Sequence, residues 1–318
     1  MLPNNIAHKI LFAPPLQGAD TLLILSGYAT PNMASWLIKS LQERNTRPVN
    51  IYLLIGMIPY DGLSIPVHDG FKALHGKAYP KAVESFTCSY VCENPPVHAN
   101  LYIWLRNDNP MLAYTGSADF MQNSFVSSRK ELVENCDPFA AYDYYTEIES
   151  ASIYCNHAEV EDNIVLRPTH QILDAENKPL TTLSGEGILS VSLSLLTNSG
   201  NIGEKSGLNW GQRNSRNRNE AYIPLPAHIA RSGFFPLNKK HFTVVTDDGH
   251  TLILRVEQQN NKAIATPLSN AQLGEYFRNR LNLGNGAFVT KQNLLDYGRT
   301  DITFYKVDEE QYFMDFHV

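Results

Sequence analysis

The chain has 318 residues, with 26 basic and 32 acidic side chains and a net charge of −6, which excludes a globally basic nucleic-acid coat. Apolar types make up 43%, and glycine and proline number 19 and 18, so collagen, low-complexity tails and coiled coil are excluded and a core can form. At roughly 100–200 residues per domain, the length suits two domains.

The opening Met1-Leu2-Pro3-Asn4-Asn5 has no basic stretch leading into an apolar one, so no secretory signal is expected. No apolar run reaches membrane-spanning length. The cysteines (Cys88, Cys92, Cys136, Cys155) all fall in the first half, without the regular framework of a disulfide scaffold. The expectation is a protein of the reducing cytoplasm with free thiols. Zinc at Cys88 and Cys92 is disfavoured by the spacing and by the lack of a compact second pair.

Taken in chain order, Thr21–Ser26 and Asn50–Gly56 are short continuous apolar runs, the pattern of strands covered on both faces. Between them a helix is predicted from Thr30-Pro31, a capping hydroxyl followed by proline, with Met33, Trp36, Leu37 and Leu41 at helical spacing. Strand, helix, strand implies an α/β layer with parallel pairing. Leu101–Leu105 and Met111–Tyr114 flank the polar turn Arg106–Pro110, which predicts a hairpin.

The segment from Leu166 to Gly185 is polar and marked by Pro168 and Pro179, as an interdomain connection would be. Domains are therefore expected at 1–165 and 186–318, joined by a linker at 166–185. Residues 1–185 carry 12 basic and 19 acidic side chains (net −7), and the remainder 14 and 13 (net +1). The second half also changes period. Phe242–Val245, the turn Asp247-Asp248-Gly249 and Leu252–Val256 read as strand, turn, strand, and Ile302–Val307 alternates. Short helices are predicted at Leu273–Leu281 and at Thr290–Tyr297, the latter closed by Gly298. A mostly β, closed or nearly closed barrel follows.

Chemistry concentrates in Val97-His98-Ala99-Asn100-Leu101-Tyr102, in Tyr114-Thr115-Gly116-Ser117-Ala118-Asp119-Phe120, and in Glu131 beyond. An isolated His-x-Asn carries little signal, Gly116-Ser117 also suits a plain turn, and Glu131 or Glu134 also suits a solvated face. Together these segments resemble the phospholipase D phosphodiesterase superfamily: His-x-Lys, then Gly-Ser-x-Asn, then an acidic residue. Extended through Phe120–Phe125 and Arg129–Pro138, the first half is similar to the NgoFVII-type restriction endonucleases.

The resemblance implies His98, Asn100, Ser117, Asp119 and Glu131 as the catalytic set, with no metal and no cofactor. A histidine attacks phosphorus to give a phosphohistidine while a second imidazole protonates the departing oxygen. One such motif per chain implies a homodimer that brings two copies of His98 together. Glu131 is expected to accept the other ring N–H of His98, and Ser117 with the glycine turn to bind phosphate oxygens. Asn100 stands where the family has lysine, and Asp119 where it has asparagine. Three readings of these exchanges stand side by side: a variant inactivated to trap DNA, a branch with altered chemistry, or a domain that has lost catalysis.

In the second half the densest polar patch is Ser206–Glu220, with Arg213, Arg216 and Arg218 among asparagines and Gln212. Arginine matches guanine and asparagine or glutamine matches adenine in the major groove, while the same groups also hold phosphates. By composition alone a solvated loop is the competing reading. Asn209–Arg213, Asn219–Pro224, Phe234–Pro236, Thr246–Gly249, Leu273–Arg278 and Asp296–Asp301 look like the pseudobarrel DNA-recognition domain of these endonucleases, similar to the plant "B-three" domain.

That likeness implies two arms. The first runs from Trp210 to Asn219 and includes Gln212, Arg213, Asn214, Arg216 and Arg218; the second is the loop before Leu273, with Lys262, Thr266, Ser269 and Asn270. Phe234, Phe235, Tyr276 and Phe277 read as core. Arg278, Arg280 and Arg299 suit either phosphates or salt bridges.

The fold class expected is therefore an α/β phospholipase D-like nuclease domain followed by a mostly β pseudobarrel DNA-binding domain. The functional expectation is a type II-like restriction endonuclease acting on double-stranded DNA. The alternative is a sequence-specific DNA-binding protein with a dead nuclease scaffold; a phospholipid or repair phosphodiesterase suits the sequence less. Some relatives of this architecture are similar to subunits that work with a separate ATP-driven translocase, which leaves such a partner open; the chain itself has no Gly-Lys-Ser/Thr phosphate loop.

Overall fold

The computed structural model describes residues 5–126, 129–167 and 190–318. The chain divides into two compact units, Met1–Thr169 and His170–Val318.

The first unit is built on an eight-stranded mixed sheet. Strand β1 (Thr21–Ser26) leads into helix α1 (Pro31–Arg44), which returns to β2 (Val49–Ile55). As its sequence predicts, α1 starts at Thr30, whose side chain accepts from the Met33 backbone N–H, and ends at Asn45 in the left-handed region. The chain continues through α2 (Ile65–Leu74), β3 (Lys77–Tyr79) and β4 (Val83–Val91). The predicted hairpin is β5 (Leu101–Arg106) with β6 (Asn109–Gly116), followed by β7 (Val133–Cys136), α3 (Pro138–Glu149) and β8 (Ser152–Tyr154).

The strand order is β3-β4-β2-β1-β5-β6-β7, with β8 also paired to β4. β1, β2 and β4 run parallel, and β5 is antiparallel to β1. Every residue of β1 is buried, which is why its sequence is an unbroken apolar run and not an alternating one. On one face Leu23, Leu25, Leu54, Ile103 and Leu105 pack with Ala141 and Tyr145 of α3. Leu166–Arg167, expected in the linker, pairs with Leu63–Ser64 inside this unit, and the rest of that expected linker lies outside the described residues.

All four cysteines are free. Cys88 is buried beside Cys155, and Cys92 Sγ donates to the Ala151 carbonyl at 3.3 Å.

The second unit is a nearly closed, barrel-like seven-stranded sheet. Its strands are β9 (Ser190–Ser194), β10 (Ile223–Pro224), β11 (His241–Thr246), β12 (Thr251–Glu257), β13 (Ala263–Ala265), β14 (Asp301–Lys306) and β15 (Gln311–Asp315). The order is β9-β14-β15-β11-β12-β13-β10. Helices α4 (Ala271–Arg280) and α5 (Lys291–Tyr297) match the two predicted segments, and α5 has a capping box from Thr290 to Asn293 with Gly298 left-handed at its end. Phe234, Phe235, Tyr276 and Phe277 lie in the core, as expected.

Candidate active site and candidate nucleic-acid interface

The residues of the first-unit motif meet where β1 and β2 end, the end of a parallel sheet at which chain crossings open a crevice. Three glycines make the meeting sterically feasible. A Cβ on Gly27 would stand 2.3 Å from His98 Cδ2, one on Gly56 2.0 Å from the Val97 carbonyl oxygen, and one on Gly116 2.0 Å from that of Leu132. The 97–98 segment therefore lies directly over the ends of β1 and β2, and the chain entering β7 lies over the end of β6.

His98 is exposed and sits in irregular chain just before β5, not within the strand. Its ring meets that of Tyr28 edge-on, with centroids 5.4 Å apart. The Tyr28 hydroxyl donates to Asp61 Oδ2 at 2.7 Å, and this bond to a carboxylate, with burial, pushes the phenol up to about 12. Tyr28 and Asp61 were not legible as site residues from sequence.

Asn100 is buried and works as a strut. Its Oδ1 accepts from Ser26 Oγ (2.8 Å) and the Gly27 N–H (3.3 Å), and its Nδ2 donates to the Gly116 carbonyl at 3.4 Å. It thus ties the end of β1 to the end of β6. Ser26 Oγ also accepts from the Phe120 N–H at 2.9 Å, which fixes the segment that carries Asp119. The Ser-Gly pair closing the first apolar run was the available sequence signal for Ser26 and Gly27.

Asp119 reaches this cluster with Oδ1 buried and unpartnered. Burial pushes its carboxyl above the usual carboxylate range, against hydrogen bonds from Asn100 and the Tyr28 backbone and the nearby His98, which pull it down. The Glu131 carboxylate accepts the Ser117 hydroxyl, and Ser117 Oγ accepts from the Leu132 N–H at 3.0 Å. The sequence assigns Glu131 to His98 and Ser117 to phosphate; here the two bond to each other, because the close approach of the Leu132–Val133 backbone to Gly116, with the Ser117 N–H donating to the Leu132 carbonyl at 2.9 Å, sets Glu131 beside Ser117. The structure thus gathers His98, Asn100, Asp119, Ser117 and Glu131 at one edge, with four polar partners already engaged.

In the second unit, residues 213–218 form an exposed loop after a 3-10 turn at Gly207–Gln212. Arg213, Asn214, Arg216 and Arg218 all face solvent. Arg216 lies over the Trp210 ring, 3.9 Å from its centroid, and pairs with Glu220. Arg213 Nε donates to the Lys205 carbonyl at 2.8 Å, and Arg218 donates to Gln212 Oε1 at 2.7 Å.

Two expected readers instead hold the arm together. Gln212 Nε2 donates to the Gly286 carbonyl (3.1 Å), and buried Asn219 donates to Glu275 Oε1 (3.2 Å) and accepts from the Gly286 N–H (2.6 Å). In the second expected arm Lys262 and Ser269 are exposed, whereas Thr266 is fully buried and its hydroxyl donates to the Ser269 carbonyl. Asn270 is half-buried, its carbonyl taken by the Ala221 N–H at 3.1 Å.

The three later arginines are structural. Arg278 is fully buried among carbonyls, Arg280 pairs with Asp247 (2.6 Å) and Asp248 (3.3 Å), and Arg299 pairs with Asp315 (3.0 Å).

Among the described residues no helix is long and apolar enough to cross a membrane. Residues 4–162 match the family model of the NgoFVII restriction endonuclease N-terminal PLD domain, and residues 183–308 that of the NgoFVII C-terminal B3-like DNA-binding domain. Among solved structures, NucT from Helicobacter pylori matches at 14% identity and a TM-score of 0.31, over 48% of this chain and 96% of that one. A polyphosphate kinase from Porphyromonas gingivalis matches at 11% and 0.29, over 49% of this chain and 24% of that one. No curated protein matches.

Proposed function

The chain belongs to the NgoFVII restriction endonuclease family, joining a PLD nuclease domain to a B3-like DNA-binding domain, and from that premise we propose that it binds a short specific duplex sequence and hydrolyses DNA phosphodiesters at His98. The observation that carries the reading is the exposed imidazole of His98, held over Gly27 at the carboxyl ends of parallel strands.

A ring nitrogen of His98 attacks phosphorus, the phosphorus–oxygen bond to the leaving strand breaks, and an acid delivers a proton to that oxygen. Water then attacks the phosphohistidine, the phosphorus–nitrogen bond breaks, and the conjugate base takes the proton. With one such histidine in the motif, the acid is His98 of a second copy in a homodimer. No metal enters these steps. The exposed arginines of residues 213–218, with Lys262 and Ser269, supply contacts to the duplex. The compartment that fits is the cytoplasm, and a separate ATP-driven translocase is compatible with the same chemistry.

Asn100 and Asp119 set the rate in this reading. No side-chain cation stands at position 100, and an ionised Asp119 repels the phosphate, so hydrolysis is slow by about a hundredfold or more against a site with the clamp. Lysine alone at position 100 leaves the Gly27 N–H without its acceptor, whereas the Ser26 hydroxyl keeps the Tyr28 carbonyl. The test is therefore cleavage of duplex DNA in excess chelator by the chain, by N100K and by N100K/D119N. The expected order has the double variant fastest and H98A inactive; a strict metal requirement contradicts the reading.

The engagement of the Asn100 amide on three sides favours a second reading, a sequence-specific DNA-binding protein whose nuclease scaffold is inert. Its signature is salt-dependent binding of one sequence with no cleavage even by the double variant.

A further inference from the structure

The loop between α4 and α5, Asn282–Thr290, lies outside both expected arms, yet it is fastened to the base of the first one. The Gly286 N–H donates to Asn219 Oδ1 (2.6 Å), and its carbonyl accepts from Gln212 Nε2 (3.1 Å). Val289 exchanges two bonds with the side chain of buried Asn209, at 2.8 and 2.7 Å. A Cβ on Gly286 would stand 2.9 Å from Arg218 Cβ, so this residue passes directly beneath an arginine of the arm.

Arg278 completes the fastening. It donates to the Ala287 carbonyl in the loop (2.9 Å), the Leu208 carbonyl at the root of the arm (3.2 Å) and the Gly274 carbonyl of its own helix (3.1 Å). The side chain is fully buried, and removing a guanidinium from water is costly unless its donors are met. The fold bears that cost at the point where loop and arm are held in register.

Against this pinned backbone the side chains of Asn285 and Phe288 are left out. Asn285 is exposed, and so is the Phe288 ring, at 44%. A carboxamide is the group that pairs with adenine edges or accepts and donates at phosphates, and an exposed ring suits apolar contact with a thymine methyl. Groups held rigidly beside a charged loop add recognition with little ordering cost.

We propose that Asn282–Thr290 is a third duplex-contacting element, in which Asn285 hydrogen-bonds to the DNA and Phe288 packs against it beside Arg218. The proposal rests on the reading that the second domain binds duplex DNA.

The test uses the full chain. A duplex is selected from a randomised library by the unaltered protein, and its affinity is then measured across a salt series for N285A, F288A and the double variant. The expected result is a loss of about tenfold for the double variant, a relaxed base preference at one or two positions for N285A, and thermal midpoints equal to that of the unaltered chain. A double variant that binds within about twofold and keeps the same base preferences overturns the proposal and leaves the loop as a buttress. Failure of the unaltered protein to select any duplex instead overturns the DNA-binding reading, and this proposal with it.

Discussion

The His98 ring lies so close above Gly27 that a methyl group on that glycine would stand 2.3 Å from Cδ2. The clash is with the end of a side chain and not with backbone, so the imidazole gives way before the fold does. The G27A variant is expected to keep its stability within about 1 kcal/mol and its DNA affinity unchanged. Its phosphodiester cleavage is expected to fall by about tenfold or more, because a misplaced nucleophile loses its alignment. Thermal unfolding and single-turnover cleavage measured together check this.

Gly56 and Gly116 differ from Gly27 in what they face. Each would place a Cβ 2.0 Å from a carbonyl oxygen, of Val97 and Leu132 respectively, and backbone cannot rotate away. G56A and G116A are expected to lose stability by about 2–3 kcal/mol, at the upper end of overpacking costs. Urea unfolding should rank both below G27A; equal midpoints for all three would refute the argument from close approach.

Asp119 brings a partly desolvated carboxyl with one orphaned oxygen into the site. Its pKa is raised in the folded chain, so the folded state binds the proton more tightly than the unfolded one. The stabilisation this gives is complete below the unfolded value and is lost as pH rises through the folded one. D119N, which removes the charge, is expected to raise the thermal midpoint at pH 7 and to lose that advantage near pH 4. An advantage independent of pH would contradict burial as the cause.

Two histidines away from the site give the opposite slope. Burial pushes the His68 imidazole below its ordinary 6.5, helped by Lys72, and burial likewise lowers His75 against a hydrogen bond with Cys88 that raises it. Below pH 6.5 the unfolded chain takes up these protons first, so stability falls as pH drops from 6.5 toward the depressed folded values. H68Q should flatten part of that slope. A slope unchanged in H68Q removes His68 from the account.

Local pattern made much of the fold legible. The capped α1, the unbroken apolar β1 and β2, the β5–β6 hairpin and the Asp247-Asp248-Gly249 turn each carry their signal within about a dozen residues. The motif residues His98, Asn100, Ser117 and Asp119 were readable for the same reason, as short strings beside strands. What escaped depends on distant approach. Asn100 meets Ser26 across 74 positions and Tyr28 meets Asp61 across 33, and no local pattern records either. Polar composition also does not say which way an amide points. Arg216 and Asn219 looked alike in a loop of readers, yet Arg216 is exposed and Asn219 is buried as a tie between arm and loop.

The central claim is that His98 itself bonds to phosphorus. Duplex DNA labelled at phosphorus, mixed with the chain or with N100K/D119N in excess chelator and quenched in denaturant, should yield a peptide carrying a nucleotide on His98. That adduct should be alkali-stable, acid-labile and absent from H98A. Cleavage without the adduct, or an adduct on another residue, would contradict the account.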